Sequence, residues 1–163
     1  NYFVLIKIDM QKFKINFVNF LTNNEPDFKN RFLKDIWNFS DEDIEYTHDF
    51  IQLLFPLNEK SSAISNGIYL DSNEAILSIK ANKLATENIV KSSKWFLSFL
   101  ARNSHWKRKH DHNYLRITRI IKSLRLLVSD QEANKFYEAF MQLIDENLIS
   151  RINSTTLHYW ENA

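Results

Sequence analysis

The stretch HNYLRITRIIKSLRLL at residues 112–127 carries the clearest helical pattern in the chain. On a helical wheel, one face collects six apolar side chains within roughly 120° of arc; they are Ile117, Ile120, Ile121, Leu124, Leu127 and Val128. Leu115 and Leu126 point to the opposite side. Apolar residues on two faces are typical of a helix that packs between neighbours. We therefore predict a central helix near residues 114–128, around which the rest of the chain folds.

The composition indicates one folded helical domain. A chain of 163 residues is long enough for a core of its own, and its hydrophobic content of 44% argues against disorder. One Gly and two Pro leave little material for tight hairpins, so we predict an all-α, single-domain bundle of about seven or eight helices. Because the chain has no Cys, it cannot form disulfides or thiolate metal sites, which suits a reducing compartment.

Helix starts and stops recur along the chain. Ser40 with Asp43 forms a capping box, which predicts a helix from about residue 40 to Phe55, ending before Pro56. Asn113 is the predicted N-cap of the central helix. The further predicted helices cover residues 10–21, 28–36, 71–79, 84–102 and 129–148, with a short last helix at Leu157 and Trp160.

We predict a boundary between an N-terminal segment and the rest of the chain. We expect residues 1–19 to hold this segment and the first helix, and residues 20–163 to form the helical domain. The apolar run from Phe3 to Ile8 contains Lys7, is too short to span a bilayer, and is followed by no small-residue cleavage site. It is compatible either with native chain or with an extension ahead of Met10. We expect a soluble, intracellular protein, and predict no oligomeric state.

Two segments resemble a known family. HDFIQLLFPL at 48–57 is similar to the pattern HxYIQWLFPL, and residues 112–127 are similar to HNxLRITRILKSLxxLG. Both patterns belong to the conserved region of opioid growth factor receptors. The chain departs from that family at Leu53, where the family has Trp, at Leu100 and Ala101, which replace a Tyr-Gly pair, and at Val128, which replaces a Gly. The resemblance covers most of the chain from about Phe20.

The resemblance implies a receptor-like, non-enzymatic domain that binds a peptide or protein partner. Animal members are described as nuclear-associated receptors for the enkephalin pentapeptide, so the resemblance also implies nuclear association in a eukaryotic host. From the residues, we expect a polar groove where segment 48–57 meets the start of the central helix. The predicted ligand-binding residues are His48, Gln52, Trp106, His112, Asn113, Arg116 and Arg119. The alternative is that the polar residues form a buried network that fixes the packing of two helices.

A basic region offers a second hypothesis. Between residues 102 and 125 there are eight basic residues and one acid, Asp111, a balance of about +7 in a chain of net charge +1. Cations around an aromatic side chain are typical of nucleic-acid binding. The residues concerned lie around Trp106 and are Arg102, Lys107, Arg108, Lys109, Lys122 and Arg125. The alternative is a solvated loop whose charges balance acids at residues 41–45 and 130–132.

Catalytic motifs are missing from the sequence. One Gly cannot build a phosphate-binding loop or a dinucleotide fingerprint, and no G-x-S-x-G segment occurs. We therefore predict neither an enzyme nor a cofactor. The least favoured hypothesis is a metal-dependent hydrolase that uses His48, Asp49, His110 and His112, because Lys107, Arg108 and Lys109 nearby would repel a cation.

Overall fold

The computed structural model describes residues 15–60 and 68–163, and these residues form helices and no strand. The all-α prediction is confirmed. Ten helices are present in the described ranges: α1 Phe17–Leu21, α2 Leu33–Trp37, α3 Asp41–Tyr46, α4 Ile51–Leu54, α5 Asn73–Ala81, α6 Lys83–Arg102, α7 Asn113–Leu127, α8 Asp130–Met141, α9 Glu146–Arg151 and α10 Ser154–Glu161. The count exceeds the prediction because two predicted helices, 40–55 and 129–148, are each divided in two.

The central helix is α7, which packs against α5, α6, α8 and α10. Its predicted apolar face is buried: Ile117, Ile120, Ile121, Leu124 and Leu127 have no exposed surface. Of the two residues predicted on the second apolar face, Leu126 packs against the core, whereas Leu115 is 71% exposed.

The start of α7 differs from the prediction. His112 occupies the N-cap position, and Asn113 is the first residue of the helix instead of its cap. The side chain of Asn113 is fully buried, and it donates to Glu45 Oε2 at 3.1 Å and accepts from Arg116 Nη1 at 3.2 Å. The Asn113 side chain, which the sequence predicts as a helix cap, therefore bonds with Glu45 and Arg116 instead.

The predicted helix over residues 40–55 is interrupted. Its first turn forms as expected, with the Ser40 hydroxyl accepting from the Asp43 N–H and the Asp43 carboxylate accepting from the Ser40 N–H. Helix α3 then ends at Tyr46, and Thr47 is extended. In a continuous helix the carbonyl of Ile44 would accept from the N–H four residues later; here it accepts from Arg116 Nη1 at 2.7 Å. The prediction of one helix was wrong because a distant side chain takes over this backbone bond.

An aromatic core lies between the C-terminal helices and α7. Trp160 contacts Phe140 with ring centroids 4.9 Å apart and Tyr114 at 5.3 Å, both nearly perpendicular. Trp106 contacts Phe140 at 5.8 Å and is fully buried. This core anchors the loop before α7, and with it the first turn of the central helix.

The first helix, α1, belongs to the packed core, since Phe20 and Leu21 have no exposed surface. It crosses residue 20, the predicted start of the helical domain, and that boundary stays a prediction. Residues 10–14 of the predicted first helix lie outside the described ranges. Among the described helices, none has the length and apolar character needed to cross a membrane.

Candidate ligand-binding pocket

A pocket of about 600 Å³ lies beside the first half of α7. Its walls come from the α3–α4 connection, α4, the segment after α4, α7 and α10. Polar and apolar side chains alternate around it, as is common in ligand sites. The lining residues are His48, Ile51, Gln52, Leu57, Glu59, Lys60, His112, Leu115, Arg116, Thr118, Arg119, Lys122 and Tyr159.

Arg116 lines the pocket, and its hydrogen-bond donors are bound by acceptors of the same chain. Its Nη1 donates to the Ile44 carbonyl, and its Nη2 donates to the Thr47 carbonyl at 2.8 Å. The guanidinium also lies over the ring of Phe50, 5.4 Å from the centroid. Burial lowers the pKa of Arg116 to about 10, although Glu45 and Asp111 act against this shift. Arg116 therefore remains charged at neutral pH and supports the α3–α4 connection.

Arg119, one turn further along α7, has a different environment. Its Nε and Nη2 are buried and have no hydrogen-bond partner among the described residues. Burial lowers the pKa of Arg119 to about 10, with Glu59 raising it, so the side chain is also charged at neutral pH. The carboxylate of Glu59 contacts Lys122 Nζ at 3.3 Å. Within the described ranges, Arg119 is therefore a cation of the pocket lining with two donors that have no hydrogen-bond partner.

Two histidines line the pocket, His48 and His112, and His112 also contacts the carboxylate of Glu45 outside the lining. Glu45 accepts from His105 Nε2 at 2.8 Å, and His112 Nε2 lies 3.2 Å from its other oxygen. Burial opposes ionisation of Glu45, but hydrogen bonds from His105 and Asn113 outweigh it, and the net pKa is lowered. His48 and His112 stack edge to face, with ring centroids 5.6 Å apart. Burial, followed by the charges of Arg116 and His112, lowers the pKa of His48, which favours a neutral imidazole.

The structure brings together most of the predicted ligand-binding residues. His48, Gln52, His112, Arg116 and Arg119 all line the pocket, and the Gln52 Oε1 is buried with no hydrogen-bond partner in the described ranges. Asn113 lies beneath the pocket and does not line it.

Trp106 is not a wall of this pocket. It has no exposed surface, and its indole N–H donates to the carbonyls of Leu100 and Asn103 at 2.9 and 2.8 Å. Those bonds close the C-terminal end of α6, so the predicted aromatic wall is wrong because Trp106 belongs to the core.

Tyr159 supplies an aromatic side chain to the pocket instead, and Leu115 supplies an aliphatic one. The helical pattern predicts Leu115 on the second face of the central helix. No sequence pattern around Tyr159 indicates that it lies near residues 48–57.

The sequence model of the opioid growth factor receptor (OGFr) conserved region matches residues 7–163. The chain belongs to this family. Opioid growth factor receptor-like protein 1 of Mus musculus is 29% identical over 146 residues, covering 76% of this chain and 30% of the mouse protein. The Xenopus tropicalis protein of the same name is 30% identical over 146 residues, with 76% of this chain and 27% of that protein covered. This chain therefore spans less than a third of the relatives' length. No solved structure matches it.

The predicted nucleic-acid surface is largely paired with acids of the same chain. The ion pairs are Arg102–Asp41 at 2.7 Å, Arg108–Asp111 at 2.9 Å, Lys122–Glu59 at 3.3 Å and Arg125–Asp130 at 2.9 Å. Lys107 lies over the ring of Trp106 at 5.6 Å, and Lys109 is exposed. Pairing with the 41–45 and 130–132 acids, the alternative that the sequence left open, accounts for Arg102 and Arg125.

The hypothetical metal site does not assemble in the described ranges, where no group of three or more His, Asp or Glu side chains could hold an ion. Asp49 forms ion pairs with Lys29 and with Arg31, the latter at 2.9 Å. Burial raises the pKa of Asp49, but hydrogen bonds from Lys29 and Arg31 outweigh it and lower the net value. These contacts give Asp49 a structural role.

Proposed function

We propose that this chain is a non-enzymatic recognition domain that binds a short peptide or a segment of a protein partner in the pocket beside α7. The proposal is carried by two features of the pocket lining: donors of Arg119 that have no partner among the residues that the structure describes, and exposed apolar side chains. Leu115 is 71% exposed and Tyr159 is 58% exposed. Large apolar side chains at a pocket rim favour contact with an apolar part of a ligand.

The family supports the same proposal. The matching relatives carry the name opioid growth factor receptor-like protein 1, and the two segments that carry the family resemblance meet at this pocket. His48, Ile51 and Gln52 come from the first segment, and Arg116 and Arg119 come from the second. A ligand bound there would contact the stretches in which the resemblance is strongest.

The test is a titration of the full chain with enkephalin pentapeptide, followed by amide chemical-shift mapping. Leu115→Asp should weaken binding at least about tenfold, since it places a charge where an apolar contact is expected. Leu77→Asp is the matched control, because Leu77 is 62% exposed and does not line the pocket. Equal losses in both variants, or shifts confined to surfaces away from α7, would refute the proposal.

A further inference from the structure

The contrast between Arg116 and Arg119 identifies the chemistry of the pocket. Both side chains leave the same helix three residues apart. Arg116 donates to three backbone carbonyls, those of Ile44, Glu45 and Thr47, whereas the Nε and Nη2 of Arg119 donate to none of the described residues. Nε–H and Nη2–H lie on one edge of the guanidinium and point in parallel. That edge is the one that binds a carboxylate through two parallel hydrogen bonds.

An unpaired, partly buried cation has a cost, since its desolvation is not repaid by hydrogen bonds. Glu59 is the acid that acts on Arg119, yet no hydrogen bond joins the two, and Glu59 contacts Lys122 instead. Lys60 lies over the ring of Tyr69 at 5.6 Å. The pocket lining thus holds four cationic side chains and one acid, Glu59, which favours an anionic group on a ligand.

An acceptor in the pocket lining is also without a hydrogen-bond partner among the described residues. Gln52 is 4% exposed, and its Oε1 has no donor within the described ranges. The last residue of a peptide presents a carboxylate, a backbone N–H one carbon away, and a side chain. These three groups correspond in chemistry, in order, to the Nε and Nη2 edge of Arg119, the Gln52 oxygen, and the exposed side chains of Leu115 and Tyr159, all of which belong to the pocket lining.

We propose that the pocket recognises the C-terminal carboxylate of a peptide, bound by the Nε and Nη2 of Arg119 with Gln52 accepting from the terminal amide N–H. This inference rests on the proposed function and adds the chemical group that the site selects. A carboxylate is favoured over a phosphate because its two oxygens match the two parallel donors of Arg119. The additional oxygens of a phosphate would need Lys60 or Lys122, and Lys122 is already paired with Glu59.

The experiment uses N-acetyl-phenylalanine, which carries all three groups, and N-acetyl-phenylalaninamide, which lacks the carboxylate. Binding to the full chain is followed by NMR through the Nε–H resonance of Arg119. The acid should bind saturably and at least about tenfold more tightly than the amide. Arg119→Lys, which keeps the charge but loses the parallel donors, should weaken the acid by a similar factor. Lys109→Gln removes one charge outside the pocket and should change nothing.

Three results would overturn the carboxylate assignment: equal affinity for acid and amide, no saturable binding of the acid up to about 10 mM, or tighter binding of phenyl phosphate than of the acid. The enkephalin pentapeptide and its C-terminal amide separate this inference from the proposed function. If both forms bind equally in a manner that depends on Leu115, the pocket binds peptide but does not read the carboxylate. If neither binds, the peptide proposal fails, and the small-molecule pair still decides whether Arg119 takes a carboxylate.

Discussion

Replacing each of the two pocket arginines by methionine should have clearly different consequences for stability. Arg116→Met leaves the carbonyls of Ile44 and Thr47 without their donors, which now lie at 2.7 and 2.8 Å. Each unsatisfied carbonyl costs about 1–3 kcal/mol, so the free energy of unfolding should fall by about 2–6 kcal/mol. For a chain of this size that corresponds to a loss of about 4–24 °C in Tm.

Arg119→Met removes no hydrogen bond from Nε or Nη2, because neither atom has a partner among the described residues. It also removes a charge whose burial is uncompensated. We therefore expect the free energy of unfolding to stay within about 1 kcal/mol of the parent or to rise. Urea denaturation followed by circular dichroism at pH 7 measures both variants. Equal destabilisation, or a larger loss in Arg119→Met, would refute the distinction between an internally paired arginine and an open one.

Three further outcomes are expected. The pKa of His48 in the folded chain lies below its ordinary 6.5, so the unfolded chain takes up the proton at a higher pH than the folded chain. The free energy of unfolding should therefore fall as the pH drops below about 6.5. His48→Gln should reduce this loss in denaturation curves measured from pH 8 to 5. Trp106→Phe removes two indole hydrogen bonds from the core, so it should lower the free energy of unfolding by about 1–3 kcal/mol in urea titrations while leaving ligand affinity unchanged; weaker binding by the folded variant would contradict its placement. Labelled oligonucleotides should bind no more tightly than non-specifically, with Kd of about 10⁻⁴–10⁻⁶ M at physiological salt; tight binding lost in the double variant Lys107→Gln, Lys109→Gln would revive the nucleic-acid hypothesis.

The helices that sequence analysis predicted well are those with strong local signals. Helix α6 begins within a residue of its predicted start and ends at Arg102, and α7 follows the apolar periodicity of residues 114–128. Capping at Ser40, Ser72 and Ser129 also depends on groups within three residues, so it is legible in the chain. These features need no knowledge of the tertiary structure.

The interruption between α3 and α4 had no such signal. It depends on Arg116, which is 72 residues from Ile44. The sequence also could not predict that Arg116 has hydrogen-bond partners while the Nε and Nη2 of Arg119 have none among the described residues. Both are arginines on one amphipathic helix, and only their neighbours in the fold distinguish them. The prediction of Trp106 as a pocket wall was wrong for a related reason. The basic residues around it indicate an exposed loop, yet its indole N–H donates to a carbonyl at the end of α6. The members of the pocket were therefore mostly predictable, and their roles were not.

We propose that the pocket beside α7 is the ligand site and that Arg119 provides its hydrogen-bond donors. The experiment is a calorimetric titration of the full chain with enkephalin pentapeptide, beside Arg119→Ala and the Lys109→Gln control. We predict saturable one-to-one binding that is at least about tenfold weaker in Arg119→Ala and unchanged in the control. Equal affinity in Arg119→Ala, or no binding by the parent chain, would contradict the claim.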